Sequence, residues 1–136
     1  MKKIILSIAL ISSALLADIA VVVNPNSGVD ALSESQVKKI FMAKTKKFPN
    51  GNKVVAIDQN ADGSSYAPFY KSVAGKSPSK MNKYWVKLTF TGKAEAPKKV
   101  GSNNDVINLI KNNQNMIGYV DSSAVTGDVK VVYTVK

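Results

Sequence analysis

The stretch Ile19-Ala20-Val21-Val22-Val23 constrains this chain more than any other. It carries four β-branched residues in five and no polar side chain, so neither face of a strand formed here can be left to water. Such a strand needs cover on both sides. A chain of 136 residues can supply it as one domain, by layering helices over a central sheet.

The rest of the chain supplies those layers. The first strand ends in the polar turn Asn24-Pro25-Asn26-Ser27-Gly28. Ser33 and Gln36 then stand at capping-box spacing, with Leu32 placed to staple onto Val37. This predicts a helix that buries Val37, Ile40 and Phe41. Pro49-Asn50-Gly51-Asn52 reads as a turn, and residues 53–57 as a second strand. A helix from Ser64 or Ser65 through Phe69, Tyr70 and Val73 ends at Gly75. Ser77-Pro78 offers an N-cap and an N1 proline for the next helix, with Met81, Tyr84, Trp85 and Leu88 as its core-facing stripe. Residues 91–97 connect to a fourth helix, capped by Ser102 or Asn103, that buries Val106, Leu109 and Ile110. Residues 116–120, interrupted by Gly118, and residues 129–135 read as the last two strands, the final one at an edge. The order β-α-β-α-α-α-β-β predicts an α/β fold, a mainly parallel or mixed central sheet flanked by helices, as a single domain over residues 18–136.

The N-terminus reads differently. Met1-Lys2-Lys3 is a basic start, residues 4–16 are apolar apart from serines, and Ala17 precedes the polar Asp18. This is the pattern of a signal peptide over residues 1–17, cleaved near Ala17, and it implies a periplasmic location. With no cysteine there is no lipid-acceptor site and no disulfide. With no histidine either, Cys/His zinc centres and Ser-His-Asp or Cys-His catalytic groups are excluded. No other pairing of nucleophile and base stands out, so a non-enzymatic protein without cofactor is expected.

The net charge is +10, and every basic residue is a lysine. Lysine is a strongly hydrated point charge, whereas bidentate gripping of phosphate normally uses arginine. A sequence pI near 9.8 would suggest nucleic acid. The export signal and the even scatter of lysines argue against that partner. They favour a solvated basic surface that attracts anionic solutes or membrane surfaces.

Open α/β sheets bind ligands beyond the carboxyl ends of their strands, against helix N-termini. Three expected strands end in short polar segments, at residues 24–28, 58–65 and 121–123. If those strands are parallel neighbours, the three loops meet at one edge and offer N–H groups and hydroxyls to a small anion. Asn26 and Ser27 enter as ligand-binding candidates on this geometry. Taken singly, each loop's serines are equally explained as caps of their own helices.

The stretch "DQNADGSSYAPFY", residues 58–70, also opens like a calcium loop, with Asp58, Asn60 and Asp62 at alternating positions. An EF-hand needs a bidentate glutamate at the twelfth position, where Phe69 stands, and an entering helix where residues 53–57 read as strand. No metal site is expected here.

Four blocks carry a family likeness: "LSESQVKKIFMAKTKKFPNG", "DQNADGSSYAPFY", "YWVKLTFTGK" and "NNDVINLIKNNQNMIGYVDSSAV". In their order and spacing they resemble the phosphate-binding-protein-like periplasmic solute-binding proteins of ABC transporters. The resemblance implies a type 2 periplasmic-binding-protein fold and recognition of phosphate or a related small oxyanion. It also implies a link to ABC-type phosphate uptake or sensing. It carries over Gly63, Ser64 and Ser65 as hydrogen-bond donors to the ligand at a helix N-terminus. The chain looks like a single lobe of such a protein, which a homo-oligomer or docking on a membrane transporter or sensor would complete. The family's phosphate-gripping arginine has no counterpart, and Asp58, Asp62 and Asp121 stand near the implied site. The alternative is a lobe kept as a scaffold or interaction module of the cell envelope, without a tight small-molecule ligand.

Overall fold

The computed structural model describes residues 18–135, so the signal peptide expected over residues 1–17 lies outside them. Besides one turn of 3-10 helix over Ser122–Ala124, nine elements follow in order: β1 (Ile19–Val23), α1 (Glu34–Phe41), β2 (Val55–Gln59), α2 (Tyr66–Ala74), α3 (Pro78–Phe90), β3 (Lys98–Val100), α4 (Asn103–Lys111), β4 (Met116–Asp121) and β5 (Lys130–Val135). The strands form one mixed sheet in the order β3-β2-β4-β1-β5.

The expected helices form where their start signals stand. Ser33 and Gln36 make both hydrogen bonds of the capping box. Ser77 accepts from the Lys80 amide ahead of Pro78, and Ser102 from that of Asp105. Gly75 ends α2 in the left-handed conformation, at φ 67°, which a side chain would strain.

β1 is buried along its whole length because helices cover both faces of the sheet. On one side Val21, Val23, Ile117 and Tyr119 pack against α1, α2 and α3. Phe69 stacks on Tyr119 with ring centroids 3.9 Å apart, and Phe41 meets Phe69 edge-on at 4.9 Å. Each such pair adds about 0.5–1.5 kcal/mol beyond its buried area. On the other side Ala20, Val22, Ile57 and Val120 pack against Val106, Ile107 and Ile110 of α4.

Two expectations need correction. Lys98–Val100, where no strand is expected between the connection over residues 91–97 and the fourth helix, is a short edge strand parallel to β2. Its sequence is polar and largely exposed, so no burial pattern announced it. Secondly, β1 does not run with the other strands. It is antiparallel to β4, with Ile19 opposite Asp121 and Val23 opposite Ile117, and antiparallel to β5. β2 pairs in parallel with both β3 and β4.

Candidate functional site

The direction of β1 decides which loops share an edge. β2, β3 and β4 all end on one side of the sheet, so residues 58–65, 101–103 and 121–123 converge there. Residues 24–28 leave β1 at the opposite side. The expected meeting of three strand ends is therefore corrected to two of those loops plus the segment after β3. Asn26 and Ser27 do not join Gly63, Ser64 and Ser65. They border a recess of about 260 Å³ with Asn52, Lys53, Gln114 and Asn115, beside the starts of β2 and β4.

Polar side chains at that far edge have structural work. Asn24, buried, donates to the Ile110 and Lys111 carbonyls at 2.9 and 3.1 Å, closing the C-terminus of α4. The Ser27 hydroxyl accepts from the Val29 amide at 3.2 Å, and the Ser27 carbonyl accepts from Asn50 at 3.1 Å.

At the converging edge, Gly63, Ser64 and Ser65 lead into α2. Gly63 sits in a turn closed by its own amide donating to the Asn60 carbonyl at 2.9 Å, and an added Cβ would lie 3.1 Å from that oxygen. Ser64 is exposed and Ser65 is buried. Ser65 holds the N-cap position without capping. Its backbone is in the helical region, and its hydroxyl donates to Asp121 Oδ1 at 2.9 Å. No side chain caps the first turn of α2, whose amides and helix dipole face this edge. Ser102, by contrast, caps α4 in the ordinary way.

Beneath the loops runs a hydrogen-bonded network that sequence reasoning did not single out. Asp58 is fully buried, and its carboxylate accepts from the Tyr119 hydroxyl, from Tyr70 at 2.6 Å and from the Gln59 amide at 2.9 Å. The Gln59 side chain donates to the Tyr119 carbonyl at 2.8 Å and to Asn103 Oδ1 at 3.0 Å. Asn103 donates in turn to Asp121 Oδ2 at 3.1 Å, and Asp121 holds Ser65. One chain of bonds thus links β2, β4, α4 and the start of α2. A polar pair, Asp58-Gln59, at the end of an apolar strand was the available signal, because buried polar groups must find partners.

This network answers the calcium-like spacing. Asp58 points into the core and spends its oxygens on two tyrosines and an amide, while Asp62 lies exposed on the surface turn. The two carboxylates do not face one ion. Burial pushes the Asp58 carboxyl above the usual carboxylate range; the Tyr119, Tyr70 and Gln59 hydrogen bonds and the Lys99 charge act in the opposite direction. Burial, with the Asp58 charge behind it, likewise drives the Tyr119 and Tyr70 hydroxyls upward, so both remain protonated donors. Lys99, the middle residue of β3 and opposite Asp58, lies 5.4 Å from the Tyr66 ring centroid and brings a positive charge towards the same edge.

No protein-family model matches the sequence, and no curated protein matches it. Solved structures do. A Clostridium perfringens protein assigned as a phosphate ABC transporter substrate-binding protein, with bound phosphate, superposes with a TM-score of 0.69 at 19% identity, over 85% of this chain and 44% of that one. This chain has the fold of one part of a phosphate-transport substrate-binding protein. An ABC-type phosphate transport receptor from Vibrio cholerae matches at TM-score 0.68 and 17% identity, over 85% of this chain and 45% of that one. PstS from Borrelia burgdorferi matches at 0.63 and 15%, over 85% and 46%. The chain thus spans less than half the length of these substrate-binding proteins. The fold expected from the family resemblance is the fold observed.

Proposed function

We propose that this protein is an exported, non-enzymatic solute-binding protein that recognises phosphate or a related small oxyanion at the carboxyl edge of β2 and β4. The observation that carries the reading is the uncapped first turn of α2, set in a fold shared with a phosphate-bound substrate-binding protein. An anion there would receive the Tyr66 and Ala67 N–H groups, which no side chain caps; Pro68, the third residue of the helix, has none to offer. Gly63 lets the backbone approach the ligand, the exposed Ser64 hydroxyl donates to it, and Ser65 acts through Asp121. Lys99 steers the anion to the edge. Asn26 and Ser27, on the far side, are left out of this site.

The matched residues cover less than half of each structural neighbour and offer one wall of a cleft. A ligand held on one wall keeps contact with water, where each hydrogen bond nets only about 1 kcal/mol. Binding on this wall alone is therefore weak, and a second wall, such as one from another copy, a membrane transporter or a sensor, would strengthen it. Export would remove residues 1–17, and the mature N-terminus would be Asp18.

Isothermal titration with inorganic phosphate tests the site. Heat that saturates at millimolar ligand and shrinks in Ser64→Ala is the expected result. No heat at that concentration, with an unchanged melting temperature, removes the ligand from the reading. One observation favours the scaffold alternative: Ser65 is already committed to a carboxylate, which stands where an anion would be repelled. That reading predicts no response of any kind to Ser64→Ala.

A further inference from the structure

Helix α3 turns one side to the core and leaves an unusual one outside. Met81 and Trp85 are buried, with Tyr84 and Leu88 packed beside them. At about 100° per residue the opposite side carries Lys83, Val86 and Phe90, flanked by Lys80 and Lys87. Phe90 is 90% exposed and Val86 59%, the two most exposed large apolar residues among those described. They stand four apart on the helix and so lie one above the other. The helix contains no aspartate or glutamate.

The positive charge continues past its end. Lys93, Lys46 and Lys53 line an open hollow of about 730 Å³, in which Glu95 is the one carboxylate. Among the described residues the ion pairs are Lys111–Asp128 and Lys130–Asp30, so none of these lysines is neutralised by one. Val55, the first residue of β2, also borders the hollow. The Phe90 end of α3 therefore lies towards the edge opposite Ser64, and an occupant there leaves the candidate anion site open.

We propose that this face docks on an anionic lipid surface, with Phe90 and Val86 entering the headgroup region and Lys80, Lys83, Lys87 and Lys93 meeting the lipid phosphates. The combination fits that occupant. Lysine stems can lie along the apolar boundary while their ammonium groups reach the phosphates. A second copy of the chain is disfavoured, because pairing this face with itself sets lysine against lysine. The inference is independent of the proposed phosphate site.

The absence of cysteine makes the test direct. Phe90→Cys and, on the other side of the sheet, Asn108→Cys each place one environment-sensitive fluorophore on the full chain. With vesicles of equal parts phosphatidylglycerol and phosphatidylcholine, the label at 90 should shift to the blue and the label at 108 should not. Pure phosphatidylcholine should move neither. Lys83→Gln with Lys87→Gln should lower partitioning of the chain on the order of thirtyfold, at about a fivefold loss per lysine near an anionic surface. An equal response at both labels, as tethering by residues 1–17 would give, overturns the proposal. So does an equal response on neutral vesicles, or none, which would leave this face to an acidic protein.

Discussion

The Ser65 hydroxyl donates to Asp121 Oδ1 at 2.9 Å, joining the loop that follows β2 to the end of β4 across 56 residues of sequence. A serine at the start of a helix ordinarily turns its oxygen back on its own amides. Here it braces a neighbouring strand end and leaves the amides of α2 without that cap. The two serines of this segment should consequently behave differently. Ser65→Ala removes a bond to a charged group and should cost about 1–2 kcal/mol of stability. Ser64→Ala, at an exposed position, should stay within about 0.5 kcal/mol and instead weaken phosphate binding. Urea unfolding followed by the fluorescence of Trp85, the single tryptophan, separates the two effects. The reverse pattern would assign the ligand contact to Ser65.

Asp121 is the half-buried carboxylate closest in bonding to the proposed anion edge, tied to both Ser65 and Asn103. Asp121→Asn keeps the shape and can keep the Ser65 bond while removing a negative charge. Within a few ångströms of a bound anion that charge opposes binding by an amount between the water and protein-surface limits, about 1–4 kcal/mol. Phosphate affinity should rise on the order of tenfold in the variant, an effect weakened by added salt. Unchanged affinity would place the ligand away from this edge.

Asp58 gives a pH prediction whose sign follows from burial. Its folded-state carboxyl is raised above the ordinary value of 3.8, chiefly by desolvation. The folded protein thus holds this proton to higher pH than the unfolded chain does. Its contribution is fully present below the unfolded value and is lost as pH rises through the folded value. Asp58→Asn removes that titration. The difference in unfolding free energy between variant and parent should grow in the variant's favour from about pH 4 upward and level off once Asp58 is ionised. A constant difference would show that Asp58 titrates alike in both states. Tyr119→Phe probes the same group without disturbing the Phe69 stack, and should cost about 1–3 kcal/mol by stripping a donor from a buried carboxylate.

Helix starts and core faces were legible in the sequence because capping residues and apolar spacing act locally. Ser33, Ser77 and Ser102 cap, and Val37, Met81 and Val106 are buried. The direction of β1 was not legible. An apolar strand buried on both faces looks the same whether its neighbours run with it or against it, and pairing partners are set by the whole topology. That one ambiguity grouped Asn26 and Ser27 with Gly63, Ser64 and Ser65, from which the structure separates them. β3 escaped for the opposite reason, since a three-residue polar edge strand has no periodicity to read. Gln59 and Asn103 escaped because their partners, the Tyr119 carbonyl and Asp121, are distant in sequence.

Gly118 offers the sharpest test of how α4 is seated. A Cβ at this position would lie 2.6 Å from Val106 Cγ1 and 3.1 Å from Ile110 Cδ1. Neither is easily moved, because both residues are fully buried and Val106 is β-branched and stiff about χ1. The glycine in β4 is therefore a packing requirement: α4 approaches the sheet too closely there for a side chain. Gly118→Ala should cost about 1–3 kcal/mol by overpacking. Val106→Ala alone should also destabilise, by leaving a void. Together the two changes should be less damaging than their sum, since the methyl added at 118 occupies space vacated at 106. A double-mutant cycle on unfolding free energies measures this, with a coupling of about 0.5–3 kcal/mol expected for residues in contact. Because α4 also carries Asn103, displacing the helix should loosen the Gln59–Asn103–Asp121 bonds. Phosphate binding should accordingly weaken in Gly118→Ala and recover in the double variant. Strict additivity in stability would mean that α4 is not seated on Gly118.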